Sequence, residues 1–533
     1  MVIANVSRLK RARPVFRVVC LAILATGASR AIAGTLPPTD TGGTTGETLS
    51  FRPEQQNDGR ADRSQPQPLG NQQGDSGVDL PKSVSQDGSL ARLDDVYGWR
   101  GWDIPFPSYG DTLLQDYGGW RSDLAKAGIG ILGLSENVFS ANVLDRPHNS
   151  PTYNPYYKTR QNYEGQRASY YNIERIFLTY DLGKIGIPGG QFQFAGAFAR
   201  STYQGFAPNQ FGLNALAYYQ TLFHKKIELR IGYYPAAYDF EGQFIGGNFA
   251  STTGIGGSIP VLLGLTASTS LSPTARITIH ATKNLYEEFA VLRSDPVTGP
   301  TGNPFFDGVK QNPVGLKWSL KSVPGTGTLY INEIGYKKEA APGSMKVWIR
   351  AALLYNTSQF QDFSRLSDAD GANARRKGSY GAYIFADRQL WQQAPDDAKT
   401  AYRGVYAGLT AEYAPARKVP VTQYYEGRVY WIGALDSRPE DMLSLVYYHQ
   451  VNSRYLIDAV NQGSSNTGSY GWHRSDSTTV SYTAHVAKAV FGTMGLGYTN
   501  HPTPTYFGPS LADTSQRREG DALNIDWSVV VVF

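Results

Sequence analysis

Apolar and polar residues alternate at several places in this 533-residue chain, and most regularly at its carboxyl end. Every second residue counted back from the end is apolar, in the series Phe533, Val531, Val529, Trp527, Ile525 and Leu523. The positions between them include the polar residues Asn524, Asp526 and Ser528. Successive side chains of a strand point to opposite faces, so the pattern predicts a strand with one apolar face at residues 523–533.

The same alternation recurs upstream, at residues 227–234, 346–356, 405–413, 426–435 and 480–486. The polar faces of these stretches carry charged residues beside aromatic ones, and the apolar faces often end in Tyr or Trp. A water-filled interior suits the first feature, and the two surfaces of a membrane suit the second. The alternative, a soluble β-sandwich, would expose Trp348 and Tyr430 to bulk water. We therefore predict an all-β fold, a transmembrane antiparallel β-barrel.

The length of this region indicates the number of strands. At roughly 25 residues for a strand and its connection, residues 128–533 supply about 16 strands, and an even number of that size leaves an aqueous channel. Two segments, Leu366–Ala398 and Asp295–Pro313, are long for connections. We expect them to be external loops, and we expect some loops to fold inward and narrow the pore.

The first 33 residues have the order of a secretory signal peptide. The basic region contains Arg8, Lys10, Arg11, Arg13 and Arg17, the apolar region runs from Val18 to Ala28, and the cleavage motif is Ala31-Ile32-Ala33. A membrane anchor is the alternative, but the apolar region is too short to span. Residues 34–95 are rich in Thr, Gly, Gln, Pro and Asp. They predict a disordered periplasmic leader, because such a segment cannot bury enough apolar surface to fold.

Residues 96–127 predict a short helical segment between this leader and the barrel. The apolar residues with the spacing of one helical face are Leu113, Tyr117, Trp120 and Leu124. With Asp111 as a cap, this spacing predicts a helix over Asp111–Ala127, although Gly118-Gly119 inside it disfavours one. Residues 128–533 then form the barrel.

Composition and charge narrow the picture further. The 35 Tyr and 57 Gly favour strands and turns, and mean hydropathy is −0.35. The formal charge is +5, but the first 33 residues hold six basic and no acidic residues, so their removal leaves −1 and gives no support to a nucleic-acid partner. Cys20, the single cysteine, lies in the predicted signal peptide, which fits a mature chain in an oxidising compartment.

Known catalytic motifs do not account for the chain. The G-x-G-x-x-G match at Gly128–Gly133 follows a predicted helix and precedes none, which contradicts a dinucleotide site and favours a glycine-rich barrel strand. The seven histidines form no metal-like pair, and no nucleophile with a base is evident, so we expect no enzyme, metal or cofactor. Glu412 and Glu426 could form a hydrolase pair, but salt bridges to neighbouring arginines across a lumen are the preferred interpretation.

Several motifs carry a resemblance to a known family. The terminal aromatic residue with its alternating apolar residues resembles the assembly signal of bacterial outer-membrane barrels. Three further landmarks occur in order, namely residues 119–128, the strand Glu228-Leu229-Arg230-Ile231-Gly232 leading to Asp239-Phe240, and the turn Gly433–Asp441 with its Arg438-Pro439. From Gly110 to Phe533 the chain thereby resembles the OprB-like carbohydrate-selective porins of bacterial outer membranes.

This resemblance implies passive, selective diffusion of mono- or oligosaccharides through a water-filled channel. Charged wall groups would replace the hydration of a sugar while aromatic faces stack on its ring, and binding must stay weak for conduction. The residues that their strands place opposite the apolar face, and that we predict to contact sugar, are Arg230, Arg350, Arg428, Glu228, Glu412, Glu426, Trp348 and Tyr430.

The predicted partners are carbohydrates, outer-membrane lipid and, through Phe533, the barrel-assembly machinery. A homo-oligomer is left open. The alternatives are a general porin without sugar preference, a polysaccharide-export barrel, an outer-membrane barrel enzyme, and a soluble β-rich sugar-binding protein.

Overall fold

The computed structural model describes most of the region predicted to be a barrel. The described residues are 93, 98–101, 109–144, 165–202, 210–240, 259–266, 270–298, 323–366, 374–398, 400–463, 471–501 and 521–533. The predicted signal peptide and, apart from residue 93, the predicted leader lie outside them. No helix in these ranges is long and apolar enough to cross a membrane.

Sixteen strands run through the described residues. The first eight are β1 Ile129–Asn142, β2 Ser169–Asp181, β3 Gly190–Ser201, β4 Gln210–Leu222, β5 Ile227–Tyr234, β6 Ser272–His280, β7 Leu285–Arg293 and β8 Thr328–Lys338. The other eight are β9 Val347–Gln361, β10 Arg375–Gln392, β11 Gly404–Tyr413, β12 Val421–Ile432, β13 Met442–Asn452, β14 Arg474–Ala487, β15 Val490–Asn500 and β16 Ala522–Val532.

These strands form one closed antiparallel barrel. Each strand pairs with its neighbours in sequence, and β1 pairs with β16 in a register that runs from Leu134↔Val532 to Asn142↔Asn524. Short turns join strands at one end, such as residues 488–489 between β14 and β15, and longer connections lie at the other end, such as residues 235–271. The predicted all-β barrel of about 16 strands is confirmed.

Alternation along the strands separates the inside of the barrel from the outside. In β9, Trp348, Arg350 and Asn356 are buried, whereas Ile349 and Leu353 are exposed. The same parity holds in β16, where Asp526 is buried and Trp527 is half exposed. Apolar side chains thus form the outer surface and polar ones face the interior, as the two-residue period predicts.

The helix before the barrel is shorter than predicted. Helix α1 covers Trp120–Lys126, and only 3₁₀ turns at Tyr109–Asp111 and Tyr117–Gly119 precede it. Gly118 and Gly119 take positive φ angles of 69° and 77°, which break the helical backbone. Asp116, rather than Asp111, accepts hydrogen bonds from the backbone N–H groups of the first turn. The predicted apolar face is therefore not continuous, and Leu113 and Tyr117 are exposed.

Asp111, which was predicted to cap the helix, connects the segment before helix α1 to the barrel. Its Oδ1 accepts hydrogen bonds from the backbone N–H of Ala489, at 2.8 Å, and from Nε2 of His485, at 3.2 Å. Ala489 lies in the turn between β14 and β15, and His485 lies near the end of β14 that leads into this turn. The carboxylate is fully buried there, so it works as a tether between the amino-terminal segment and the short-turn end of the barrel.

One of the two external-loop predictions is wrong. Strand β10 occupies most of Leu366–Ala398, which the mixture of Asp, Arg and Gln suggested was a loop. The polar residues of this strand, such as Asp387 and Gln389, point inward, where a water-filled barrel accepts them. Asp295–Pro313 does fall in the connection between β7 and β8, and its part beyond residue 298 lies outside the described residues.

The connection between β5 and β6 folds into the barrel. Its described part contains helix α2, Ala237–Phe240, and helix α3, Ile259–Leu262, and every residue of both is buried. The backbone N–H of Ile259 donates to Glu412 on β11 at 2.9 Å, and the carbonyl of Phe240 accepts from Tyr383 on β10 at 3.0 Å. The connection therefore crosses the interior from β5 to the opposite wall, as expected for an inward-folded loop.

The carboxyl-terminal residue completes the closure on the outer surface. The backbone N–H of Phe533 donates to the carbonyl of Gly133 on β1 at 2.9 Å, and the phenyl ring lies over that glycine. A Cβ atom at position 133 would come within 2.2 Å of Cε2 of the ring. The glycine of the G-x-G-x-x-G match therefore belongs to a barrel strand and provides space for the terminal aromatic residue.

Gly133→Ala tests this contact. The added methyl group would displace the Phe533 ring, and we expect the free energy of unfolding in lipid vesicles to fall by about 1–3 kcal/mol. Gly492→Ala is the control, since Gly492 faces outward on β15 and its Cβ would meet only Val486 Cγ2 at 3.5 Å. Equal unfolding free energies for the two variants would show that the ring contact does not stabilise the closure.

Candidate functional site

All eight residues predicted to contact sugar lie on the inner face of the barrel wall. Each is buried, with at most 7% of its surface exposed. They do not form a single group. Arg350 and Trp348 lie in a cluster on β7–β10, Arg428, Glu426 and Tyr430 lie in a second on β10–β12, Glu228 and Arg230 lie in a third on β5–β7, and Glu412 contacts the inward connection.

The β7–β10 cluster combines cations with aromatic rings. Two cations lie over the ring of Trp348. Arg350 Cζ is 4.3 Å and Lys337 Nζ is 4.1 Å from the ring centroid. Arg350 also lies over Phe385, at 4.9 Å. Such cation–π contacts are worth about 0.5–2 kcal/mol each and fix the guanidinium plane against the rings. The result is a packed set of cations and aromatic rings on the inner wall.

Hydrogen bonds extend this cluster to a buried carboxylate. Trp348 Nε1 donates to the Tyr286 hydroxyl at 3.2 Å, and that hydroxyl donates to Glu333 Oε1 at 2.8 Å. The Tyr383 hydroxyl, whose single proton also faces the Phe240 carbonyl, lies within hydrogen-bond distance of the other oxygen of Glu333. Arg350 Nη1 is 4.0 Å from Glu333 Oε2, so the cluster holds both signs of charge.

The β10–β12 cluster centres on Arg428. Its Nε donates to Asp387 Oδ1 at 3.0 Å, and its Nη1 donates to Glu426 Oε1 and to Thr410 Oγ1, both at 2.9 Å. The Tyr430 hydroxyl donates to Asp387 at 3.2 Å. Two carboxylates thus flank one guanidinium, so both signs of charge again occur together beside a tyrosine.

Glycine makes this ion pair possible. Asp387, Gly408 and Arg428 are register partners on β10, β11 and β12, so they form one row across three strands. A Cβ atom on Gly408 would come within 2.3 Å of Asp387 Oδ1 and 2.5 Å of Arg428 Nε. The two charged side chains meet over the glycine because it has no side chain of its own.

The same arrangement occurs in the β7–β10 cluster. Tyr286, Gly335 and Arg350 are register partners on β7, β8 and β9. The Tyr286 ring lies over the glycine, where a Cβ would be 2.1 Å from Cζ of the ring. The tyrosine can therefore extend over β8, where it meets Glu333 of that strand and Trp348 of β9.

The β5–β7 cluster is dominated by ion pairs. Arg230 Nη1 and Arg276 Nη1 lie 2.5 and 2.9 Å from the same oxygen of Asp239, which is in α2. Glu228 lies 3.5 Å from Arg276 Nη2 and 2.9 Å from His280 Nε2. The inward connection thus brings a carboxylate between two wall arginines, which holds α2 in the lumen.

Sequence reasoning missed several of the charged groups in these clusters. They are Asp239, Arg276, Glu288, Glu333, Lys337 and Asp387. Alternation on β6 and β8 could have indicated Arg276 and Glu333. Asp387 was missed because its strand was interpreted as a loop. Asp239 lies in a motif used for the family resemblance, but its place in the lumen depends on how the connection folds.

The arrangement defines a class of protein. A closed barrel of 16 strands with an apolar outside and an inner wall of mixed charges and aromatic rings is a membrane channel, in which polar solutes exchange water for wall contacts. In this barrel, hydrogen bonds and ion pairs with neighbouring side chains fix the polar groups of the inner wall.

Comparisons with known proteins identify the family. A model of the carbohydrate-selective porin, OprB family, matches residues 120–528. Among solved structures, the high-pH structure of Pseudomonas putida OprB is similar, with a TM-score of 0.61 at 15% identity over 79% of this chain and 98% of that one. The outer membrane channel DcaP of Acinetobacter baumannii matches 76% of this chain and 98% of its own, with a TM-score of 0.40 and 11% identity. A comparison with curated protein sequences found no match.

The chain belongs to the OprB family of carbohydrate-selective porins. It is a carbohydrate channel of the bacterial outer membrane, and its family and fold are those of a channel rather than an enzyme.

Gly408→Ala tests the row that holds Arg428. The methyl group would separate Arg428 from Asp387. Arg428 would keep Glu426, but the buried Asp387 would lose its cation, so we expect the free energy of unfolding to fall by about 3–5 kcal/mol. Gly427→Ala on β12 is the control, because Gly427 is exposed and nothing lies within 4 Å of its Cβ position. Denaturant unfolding in lipid vesicles gives both values. An unfolding free energy of Gly408→Ala equal to that of the parent would show that the glycine is not needed for the Asp387–Arg428 ion pair.

Proposed function

We propose that this channel passes mono- or oligosaccharides by passive, selective diffusion along the charged and aromatic wall of β7–β12. The observation that supports it is the placement of Arg350 against Trp348 and Phe385, beside the Arg428 cluster on neighbouring strands. A sugar presents hydroxyl groups at its edge and apolar C–H faces. A wall with charged donors, carboxylate acceptors and ring faces matches both, and because its groups are already paired, each contact with sugar stays weak enough for release.

We assign different parts of this process to the eight candidates. Arg350, Trp348, Arg428, Glu426 and Tyr430 form the wall along which a sugar moves. Glu228 and Arg230 act through the ion-pair cluster that holds α2, and Glu412 acts by holding Ile259 of the inward connection. Because each residue of the first group is at most 7% exposed, a sugar would meet only the small exposed part of its side chain, whereas the second group would shape the pore.

The outer surface supports the proposed lipid partner. Its exposed apolar side chains include Ile176, Ile231, Ile334, Leu353, Ile384, Leu409, Val429 and Leu445. Residues of this type on the outward positions of a barrel are the surface that hydrocarbon chains cover. We further propose that the β16 strand with Phe533 is the element that the barrel-assembly machinery recognises, because it closes the barrel against β1.

One outward patch supports a homo-oligomer. Ser135, Asn137, Tyr170, Asn172 and Glu174, on the outer face of β1 and β2, form a hydrogen-bonded network. Ser135 donates to Glu174 at 2.8 Å, and Tyr170 donates to Asn137 at 2.7 Å. Glu174 is the sixth of the 13 residues of β2, near the middle of the wall.

Contact with lipid would be unfavourable for this polar patch. Charged groups on the lipid face of a barrel cost up to about 2–4 kcal/mol at the midplane, somewhat less for acids. A second copy of the chain offers the same amide, hydroxyl and carboxylate groups, which can pair with these in a protein interface. We therefore propose that the β1–β2 face contacts another copy.

Arg350→Ala tests the proposed sugar wall. We expect the swelling rate of proteoliposomes in glucose to change relative to the rate in an amino acid of similar size, because the variant removes a donor and its ring contacts. Arg388→Ala, which removes an exposed arginine from the outer face of β10, should leave the ratio at the parental value. Equal rates for both solutes in the parent would indicate a general porin, and a parental ratio in Arg350→Ala would show that Arg350 takes no part in selectivity.

Glu174→Leu with Asn137→Leu tests the proposed interface. We expect the parent in mild detergent to sediment as an oligomer and the double variant as a monomer, since the interface loses its hydrogen bonds. Glu287→Leu is the control, because Glu287 is also an outward acid, with Asn332 at 3.0 Å, but lies near the end of β7. A monomeric parent in analytical ultracentrifugation would rule out the oligomer.

A further inference from the structure

Four residues from the amino-terminal side of the family match lie inside the barrel. Residues 98–101, here called the strap, precede the matched region, which begins at residue 120. Their side-chain and backbone partners lie on the inner faces of β2–β6. The family match does not include this segment, so its place in the lumen is seen only from the structure.

Three backbone carbonyls of the strap are bound by the wall. The carbonyl of Gly98 accepts from Gln191 Nε2 at 2.8 Å, and that of Gly101 accepts from Arg276 Nη1 at 2.7 Å. The carbonyl of Arg100 accepts from Gln193 Nε2 at 2.8 Å and also from Arg230. The wall thus binds the backbone of the strap at three of its four residues, which fixes the path of the strap.

Packing also fits the strap to the wall. The Trp99 ring meets Phe177 of β2 edge to face, with centroids 5.2 Å apart, and the tryptophan is 5% exposed. Gly101 has a φ of +77°, and a Cβ there would be 2.5 Å from Tyr219 Cε2 and 2.8 Å from Arg230 Nη2. Position 101 therefore fits only glycine, because any residue with a Cβ atom would require the wall to move.

The strap also takes up hydrogen-bonding groups of the wall. Arg230 and Arg276 bind Asp239 of the inward connection on one side and strap carbonyls on the other. Their donors are therefore directed at protein groups instead of the solute path.

We propose that the strap is a specificity-determining element that narrows the channel from the β3–β6 side and sets the largest solute that passes. The inward connection crosses the lumen from the same region, held by Asp239, so strap and connection reduce the open cross-section together. This inference needs only that the barrel is a channel. It does not depend on which wall residues contact sugar.

Gly101→Ala and Gly118→Ala in the full-length chain form a matched test. Both glycines have positive φ, +77° and +69°, so alanine strains the backbone similarly at each. Only Gly101 lacks room, since nothing lies within 4 Å of the Cβ position of Gly118. Gly101→Ala should displace the strap, whereas Gly118→Ala should not.

The readouts are single-channel conductance in planar bilayers and proteoliposome swelling in sugars of increasing size. We expect Gly101→Ala to raise conductance on the order of twofold, since conduction follows the open cross-section, and to admit larger sugars than the parent. Gly118→Ala should match the parent in both. Parental conductance and size limit in Gly101→Ala would overturn the proposal and make the strap only a structural latch.

Gln193→Ala provides a second variant that adds no volume. It removes the side chain that donates to the Arg100 carbonyl, so it should weaken the hold on the strap and raise conductance in the same direction. Heat-dependent mobility on electrophoresis checks that each barrel is folded. A change in size limit is distinct from the sugar-to-amino-acid ratio altered by Arg350→Ala, so the two proposals fail independently.

Discussion

The closed ring of backbone hydrogen bonds is the constraint on which the rest of this structure depends. In hydrocarbon no water is present to bind a free N–H or C=O, and each unsatisfied group costs several kcal/mol. Every strand must therefore have two partners, and β1 and β16 meet over nine register pairs. Once the ring is closed, each residue faces either lipid or lumen, and the two-residue period of the sequence follows directly.

Closure also decides how charges are arranged inside. A strand separates the side chains of its two neighbours, so a pair such as Asp387 and Arg428 can meet only if the strand between them presents no side chain. Gly408 meets that condition, and Gly335 does the same for Tyr286. Small residues inside the wall thus connect charges across three strands and hold them in fixed geometry. On the outer surface, Gly133 likewise leaves space for the ring of Phe533.

Within the described part of the chain, two segments enter the interior and make it asymmetric. The β5–β6 connection and the strap both contact Arg230 and Arg276, while the β7–β12 wall holds aromatic and charged groups in its own clusters. Ion pairs such as those of Asp239 with Arg230 and Arg276, and of Asp387 with Arg428, offset the cost of burying these charges. The β5–β6 side of the lumen therefore anchors both segments, while the β10 and β11 part of the opposite wall also binds the connection, through Tyr383 and Glu412.

Local pattern in the sequence determined the strand architecture and the inward direction of all eight candidate residues, because alternation is a property of neighbouring residues along one strand. It did not determine the helix length, since the positive φ of Gly118 and Gly119 interrupts an apolar spacing that looks helical. Nor could it distinguish β10 from a loop, because a polar inner face is acceptable only when a lumen exists. Which charges pair, which connection enters the lumen and where residues 98–101 lie were decided by tertiary structure alone. Those contacts join residues as far apart as Gly101 and Arg276, whose proximity arises from barrel register and has no local sequence signal.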